Sequence, residues 1–389
     1  MIKNKIGVFL SDFFWTSTPY DGLNLYHELN NSFDTDLIIF SKDIRLNKKF
    51  SGIEKFYFDK DEFLKAKSLK VINNWEDLKL VSKDYDIILS SPKIAPKHRF
   101  PKGIKLNCKW GLWDIGGVDI LTTAASDPGW LSADYFFLKG HNWKNWVKKL
   151  STKKRDADSI FTTGCPHYDY YLPNCPVKIG SPLSKKDFIS KYELNPNNTN
   201  LLVMPSNPGT ATHNKQFKQN LAMLEFLNEN CVKHNVNLLL KTYPNDYLFY
   251  EKEMHYSGIY KRVFSDCPQY QWITDRFSSF KVIESQDHFA AMHICDKIFN
   301  IAGSSIGWET YFVNAKSISM NYSDKKYFGS LSYLPGIKFP DREMNHEIKN
   351  VEEIFSEAKV NKSHCDNFIL KEFSLKNISK KVKGIIYAK

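Results

Sequence analysis

Between Ile298 and Tyr322 the chain carries a short apolar run, a turn of small residues, a stretch of helical character and a second apolar run. Few architectures accommodate that order. Ile298, Phe299 and Ile301 form a segment of the kind that a parallel sheet buries on both faces. Gly303 admits a sharp turn because it has no Cβ to clash. Ser304 or Ser305 can cap the helix that follows, and Glu309 lies one helical turn beyond Ser305, near the same edge. First-turn N–H groups have no partner inside a helix, and the helix dipole favours negative charge there. The Ser304–Ser305 junction is therefore suited to a phosphate, and Glu309 to a ribose. The alternative on these residues alone is an ordinary βαβ turn with a serine cap.

The same alternation recurs along the chain. Lys5–Leu10, Asp36–Phe40, Tyr85–Ser90, Ala133–Lys139 and Ser159–Thr163 read as strands. Lys105–Trp110 reads as a further strand running into a Gly- and Trp-rich loop at Gly111–Asp119. A second set follows at Asn200–Pro205, Asn237–Lys241 and Phe280–Glu284. Asp21 is placed to cap a helix through Leu23–Leu29, and further helices fall near Trp75–Val81, Lys215–His234, Gln286–Ile294, Val351–Ala358 and Asn367–Ile386. Strands alternating with helices predict an α/β chain with doubly wound parallel sheets. A length of 389 residues suits two domains. Pro173, Pro176, Pro182 and Pro196 interrupt the periodicity and place a hinge near residues 172–199.

Composition removes several function classes. Seven scattered cysteines, none in a CxxC pair, argue against a zinc site and a disulfide framework. No apolar run reaches the roughly 18 residues of a membrane span, and the apolar part of the first ten residues is too short for a signal peptide. The expectation is a cytoplasmic protein. A net charge of +11 suits an anionic substrate or an anionic membrane surface, and no nucleic-acid signature accompanies it. Trp143, Trp146, Val147 and Leu150 share one helical face with lysines opposite. They read either as an interfacial helix or as a surface helix packing its tryptophans on the sheet. The first strand is not followed by GxGxxG, which counts against a dinucleotide cofactor there.

Two Rossmann-like halves joined by a hinge leave a cleft at the carboxyl ends of their sheets, where ligands of open α/β sheets bind. In layout the chain resembles the GT-B fold of nucleotide-sugar glycosyltransferases, with two Rossmann-like domains facing across a cleft. Its second half is similar to the CDP-glycerol glycerophosphotransferase group and to capsule and lipopolysaccharide glycosyltransferases. The residues that carry the likeness are Gly303 to Glu309, Asn314 to Ser319, Leu240 to Pro244 and Thr163 to Asp169. The resemblance implies an acceptor domain at 1–175, a nucleotide-donor domain at 176–366, and a closing helix at 367–389 packing back on the first domain. It implies that Gly303, Ser304 and Ser305 meet the donor's phosphates and Glu309 its ribose. It implies a nucleotide-sugar donor, a glycan or glycolipid acceptor, and a place at the inner face of the cell membrane. It calls for no metal and no cofactor. Where the glycerophosphotransferases usually carry His-Pro, this chain has Tyr243-Pro244, which favours sugar over glycerol phosphate as the transferred group. A polyol phosphate transferase and a UDP-sugar 2-epimerase-like enzyme are the alternatives on the same fold, and a non-catalytic binding module is the alternative of another class.

The remaining candidates follow from position. Lys241 ends a buried run and can neutralise a diphosphate leaving group, or it can snorkel from a strand end. His213, in the first loop of the second half, is a phosphate contact or a cap. An inverting transfer needs a base for the acceptor hydroxyl. Asp12, Asp114, Asp119 and His141 are the candidates, with Asp114 and His141 foremost. Their alternatives are an Asx turn for Asp114 and a structural histidine for His141. His167 and Asp169 are read as shaping the turn they lie in.

Overall fold

The computed structural model describes residues 4–10, 18–41, 66–91, 101, 104–114, 132–150, 157–172, 183–205, 214–241, 269–284, 287–301, 312–313, 316–320, 342–344, 350–355 and 369–388. The chain divides into one unit of Met1–Val177 with Ser363–Lys389, and a second of Lys178–Lys362.

The first unit is built on β1 (Lys5–Leu10), α1 (Thr18–Asn30), β2 (Asp34–Phe40), β3 (Leu69–Ile72), α2 (Trp75–Ser82), β4 (Ile87–Ser90), β5 (Lys109–Trp113), β6 (Tyr135–Leu138), α3 (His141–Leu150), β7 (Ile160–Thr162) and α4 (Pro166–Asp169). Its strands form one parallel sheet in the order β3-β2-β1-β4-β5-β6-β7. The order reverses between β1 and β4, as in doubly wound sheets. β1, β2 and β4 are buried along nearly their whole length, which is why they read as continuous apolar runs.

Three local readings change. Helix α1 starts at Thr18, so Asp21 lies in its first turn rather than capping it. Pro19 fits there because a first-turn residue needs no N–H partner. Strand β5 runs over Lys109–Trp113, not 105–110. The Gly111 stretch that reads as loop is its centre, where a Cβ would stand 2.5 Å from Leu89 Cδ2 and 2.8 Å from Phe137 Cε2. Glycine there lets the neighbouring strands' side chains close over the backbone. In α3, Trp143 and Val147 are both buried, so this part of the helix packs inward.

The second unit contains α5 (Lys185–Lys191), β8 (Thr199–Met204), α6 (Asn214–Cys231), β9 (Val236–Lys241), α7 (Gln269–Arg276), β10 (Phe280–Ile283), α8 (His288–Ile294), β11 (Lys297–Ile301), β12 (Lys316–Met320), β13 (Arg342–Met344) and α9 (Val351–Phe355). Its parallel sheet has the order β10-β9-β8-β11-β12-β13, and the reversal falls between β8 and β11. One face of this sheet packs Leu201, Val203, Leu238, Leu240 and Phe299 against Leu224 and Leu227 of α6, Ile273 of α7 and Ile354 of α9.

The last helix, α10 (Ser374–Tyr387), belongs to the first unit. Right-handed crossovers place the helices after β1 and those after β4 on opposite faces, because the two halves of the sheet are wound in opposite directions. Among the described residues, the face under α1 has no crossover helix over β4 to β7. Helix α10 fills it: Leu375, Ile378, Val382 and Ile385 share one core with Leu25 and Leu29 of α1 and with Ile87, Leu89, Trp113 and Phe137 of the sheet. Burying those four side chains contributes roughly 6–12 kcal/mol of gross hydrophobic stabilisation. Asp169 fixes the helix start, since its carboxylate accepts from the backbone N–H of Ser374 and of Leu375, each at 2.9 Å. Burial pushes the Asp169 carboxyl up to about 7, against the opposing pull of those two N–H groups, with the Asp21 charge adding to the rise.

Candidate functional site

At the carboxyl edge of the first sheet, β5 hands the chain to Asp114 and β6 to Lys139. The Asp114 N–H donates to the Phe137 carbonyl at 2.9 Å, extending the ladder by one step. Its side chain lies 3.6 Å from Lys139 Nζ and accepts from the Lys139 backbone N–H at 3.3 Å. The two side chains are only 1% and 2% exposed. The Lys139 ammonium also stands 4.3 Å over the Trp143 ring of α3. A lysine this deep needs such compensation, because transfer of an isolated charge out of water is strongly unfavourable. Cys165 closes the group from below, its thiol donating to the Asp114 carbonyl at 3.4 Å. Burial, then the Asp114 carboxylate, push the Cys165 thiol well above its ordinary range, so it is no nucleophile near neutral pH.

His141 is the first residue of α3, two positions beyond Lys139, and it is exposed. Asp114 and His141 thus stand at the ends of adjacent strands, one enclosed by protein and one open to solvent. A second polar group lies behind the same edge. His167 Nδ1 is 3.8 Å from the fully buried Asp21 Oδ1, and Asn24 donates to the Tyr170 hydroxyl at 2.7 Å. Asp169 holds the start of α10, and the segment that leads into that helix meets the same edge, the Leu370 N–H donating to the Lys139 carbonyl at 2.7 Å.

In the second unit the decisive geometry is one of register. Met204 of β8 pairs with Asn300 of β11 across the switch point. Val203 pairs with Leu240, and Lys241 pairs with Ile283. Met204, Lys241 and Asn300 therefore stand level at the carboxyl edge. Lys241 is half-buried. Strands β8 and β11 end side by side at the reversal, the place where open α/β sheets bind ligands. His213 belongs to the segment after β8, and Gly303, Ser304, Ser305 and Glu309 to the segment after β11; all five lie outside the described residues, as do Asp12 and Asp119.

Next to Lys241, the end of β10 is clasped by charge. Lys191 of α5 reaches Glu284 at 2.8 Å and Asp287 at 2.7 Å. The Tyr192 hydroxyl donates to Asp287 at 2.5 Å and accepts from the Glu284 N–H at 3.0 Å. Burial lowers the Lys191 pKa, but the hydrogen bonds to Asp287 and Glu284 outweigh it and leave the ammonium above its ordinary range. This clasp fixes the turn into α8 beside Lys241. Sequence reasoning missed it, and it missed Lys139 as a partner for Asp114. A usable signal existed for Lys139: like Lys241, it follows an unbroken apolar run, here Tyr135 to Leu138. Among the described residues, no group of three His, Cys, Asp or Glu side chains is arranged to hold a metal ion. None of the described helices is long and apolar enough to cross a membrane.

No family model matches the sequence, and no curated protein matches it. Solved structures do match the fold. A UDP-GlcNAc 2-epimerase from Neisseria meningitidis bound to UDP-GlcNAc superposes with a TM-score of 0.52 at 12% identity, over 99% of this chain and 100% of that one. A glycosyltransferase from Rickettsia africae gives 0.50 at 12% identity, over 99% and 98%. The wall teichoic acid polymerase TagF gives 0.52 at 11% identity, over 100% and 89%. The chain has a GT-B fold. At these identities the likeness is one of fold, with two Rossmann-like domains in each case.

Proposed function

We propose that the chain is a nucleotide-sugar-dependent glycosyltransferase that moves a sugar to a cell-surface glycan or glycolipid. The observation that carries this reading is the level edge formed by Met204, Lys241 and Asn300 at the reversal of the second sheet. In the sequence β11 is followed by Gly303, Ser304 and Ser305, small residues of the kind that let a diphosphate approach backbone N–H groups. Ser304 and Ser305 hold the phosphates, His213 adds a contact from the neighbouring segment, and Glu309 holds the ribose. Lys241 offsets the charge that develops as the bond from the anomeric carbon to the diphosphate breaks. The acceptor oxygen forms the new bond to that carbon and releases its proton to a base of the first unit. His141 has the access for this step, while Asp114, through Lys139, holds the strand-end segment that carries it. The diphosphate's charge is met by side chains and backbone, with no role assigned to a metal or a cofactor. The glycolipid acceptor places the enzyme at the inner face of the cell membrane.

One experiment tests the reading at its base. Thermal unfolding in the presence of UDP, GDP, CMP or CDP should rise for one of them, by about 2.7 kcal/mol of added stability at a hundredfold excess over Kd. If none of the four shifts the transition, the transferase reading is refuted.

A second reading is favoured by the full-length likeness to the Neisseria 2-epimerase, which is bound to UDP-GlcNAc. Incubation with UDP-GlcNAc alone separates the two. An epimerase converts the free nucleotide sugar, whereas a transferase leaves it intact until an acceptor is added. Turnover of CDP-glycerol would instead support a polyol phosphate transferase.

A further inference from the structure

We infer that the outer face of α10 is a docking surface for a bilayer of anionic phospholipid. The inference deepens the glycolipid-acceptor reading and rests on it for its purpose, though not for its evidence. Leu375, Ile378, Val382 and Ile385 bind the helix to the first sheet. Lys376, Lys380, Lys383 and Tyr387 recur at steps of four, three and four, all exposed, on the opposite side. At 100° per residue these four fall within one narrow stripe about 16 Å long.

The 14-residue helix holds four lysines and no acidic residue. Among the described residues, Lys376, Lys380, Lys381 and Lys383 make no ion pair. By contrast Lys5, Lys70, Lys139 and Lys191 each lie beside a carboxylate. Lys381, at the flank, stands instead over the Phe161 ring at 5.3 Å, and Lys376 lies 5.5 Å from the Phe373 ring. Glu372, just before the helix, accepts from the Asn377 amide at 3.0 Å. Like charges three and four residues apart repel one another along a helix, and a surface selected only for solubility would intersperse acids among them. The stripe is also straight and held rigid, by four apolar anchors and the Asp169 cap, so its ammonium groups lie along a line that a flat surface can meet at once. Tyr387, 58% exposed at the end of that line, offers the amphipathic ring that settles at headgroup level.

The test is flotation of the full chain with phosphatidylcholine vesicles, with and without phosphatidylglycerol, at low and high salt. The wild type should bind only the anionic vesicles and release them at high salt. Lys376→Gln, Lys380→Gln and Lys383→Gln together should weaken binding by roughly a hundredfold, at about fivefold per lysine. The corresponding triple arginine variant should bind like the wild type. Unchanged hydrogen exchange across 374–387 in the glutamine variant would show that the helix is still seated. Equal binding to neutral vesicles, or an unweakened glutamine variant, overturns the inference. So does lysine-dependent capture of RNA in preference to vesicles. Lysine-dependent vesicle binding without any nucleotide-induced thermal shift would sink the transferase reading and leave this surface standing. A retained nucleotide shift with no vesicle binding would do the reverse.

Discussion

Lys139→Met removes the ammonium beside the Asp114 carboxylate and measures what that pair contributes. Both side chains are essentially without solvent, 3.6 Å apart. Removing one member of a buried charge pair typically costs about 3–5 kcal/mol. That is a large share of the roughly 5–15 kcal/mol by which a domain is stable. The double change Asp114→Asn with Lys139→Met leaves two neutral groups, and the new amide oxygen would still accept from the backbone N–H at position 139. It should recover most of the loss, giving a coupling of about 2 kcal/mol or more between the sites. The single Lys139→Met loss should also shrink toward acid pH, where the Asp114 carboxylate takes up a proton. Hydrogen exchange of peptides spanning 109–114 and 135–139, followed through urea, reports the first unit by itself. Additive losses in the double variant, or a Lys139→Met cost below about 1 kcal/mol, would refute the paired-charge account.

Three further outcomes are expected. The Asp169 carboxyl ionises near 7 in the folded chain, against an ordinary value of 3.8, so the folded form holds a proton that the unfolded form has lost over that window. Its contribution is complete below about pH 3.8 and disappears as the pH climbs through about 7, on the order of 4 kcal/mol in all. Melting curves from pH 4 to 8 should show Asp169→Asn flattening that decline, and an identical pH dependence in the variant would contradict it. Gly111→Ala forces a methyl group to within 2.5 Å of Leu89 and 2.8 Å of Phe137. It should cost about 1–3 kcal/mol in urea titration, whereas a neutral result would mean that β5 is packed differently. Ser305→Ala and Glu309→Ala should each reduce the nucleotide-induced thermal shift without changing the melting point of the free protein; loss of neither part of the shift would remove both residues from the donor site.

The sheet architecture was legible because parallel strands buried on both faces leave unbroken apolar runs, as Val8 to Leu10, Leu37 to Phe40 and Leu238 to Leu240 show. Strands β3 and β13 were not read, since Lys70 interrupts Leu69–Ile72 and Arg342–Met344 opens on two charged residues, so neither shows an apolar run. Strand β5 was misplaced because Trp110, Gly111 and Trp113 have loop-like composition, and only the crowding by Leu89 and Phe137 explains the glycine. Helix α5, in the stretch taken as hinge, is held by Lys191 reaching Glu284 and Asp287, more than ninety residues away. The candidate site divides the same way. Lys241 could be named from its apolar run alone. The partnership of Asp114 with Lys139 depends on β5 lying beside β6, which no local pattern states.

The Asp169 cap joins residues 205 positions apart in the chain. Helix α10 shares with α1 the covering of one face of the first sheet. On a ribosome, then, the opening half would emerge without the α10 part of that cover and stay so while the whole second unit is made. At ordinary elongation rates that interval is roughly 10–40 s. The second unit, whose elements lie between those two points, can complete its sheet first, although it is made last but one. The first unit is thus the later to close, and a chain stopped short of residue 374 would display the apolar flank of Ile87, Leu89, Trp113 and Phe137 to any passing chaperone.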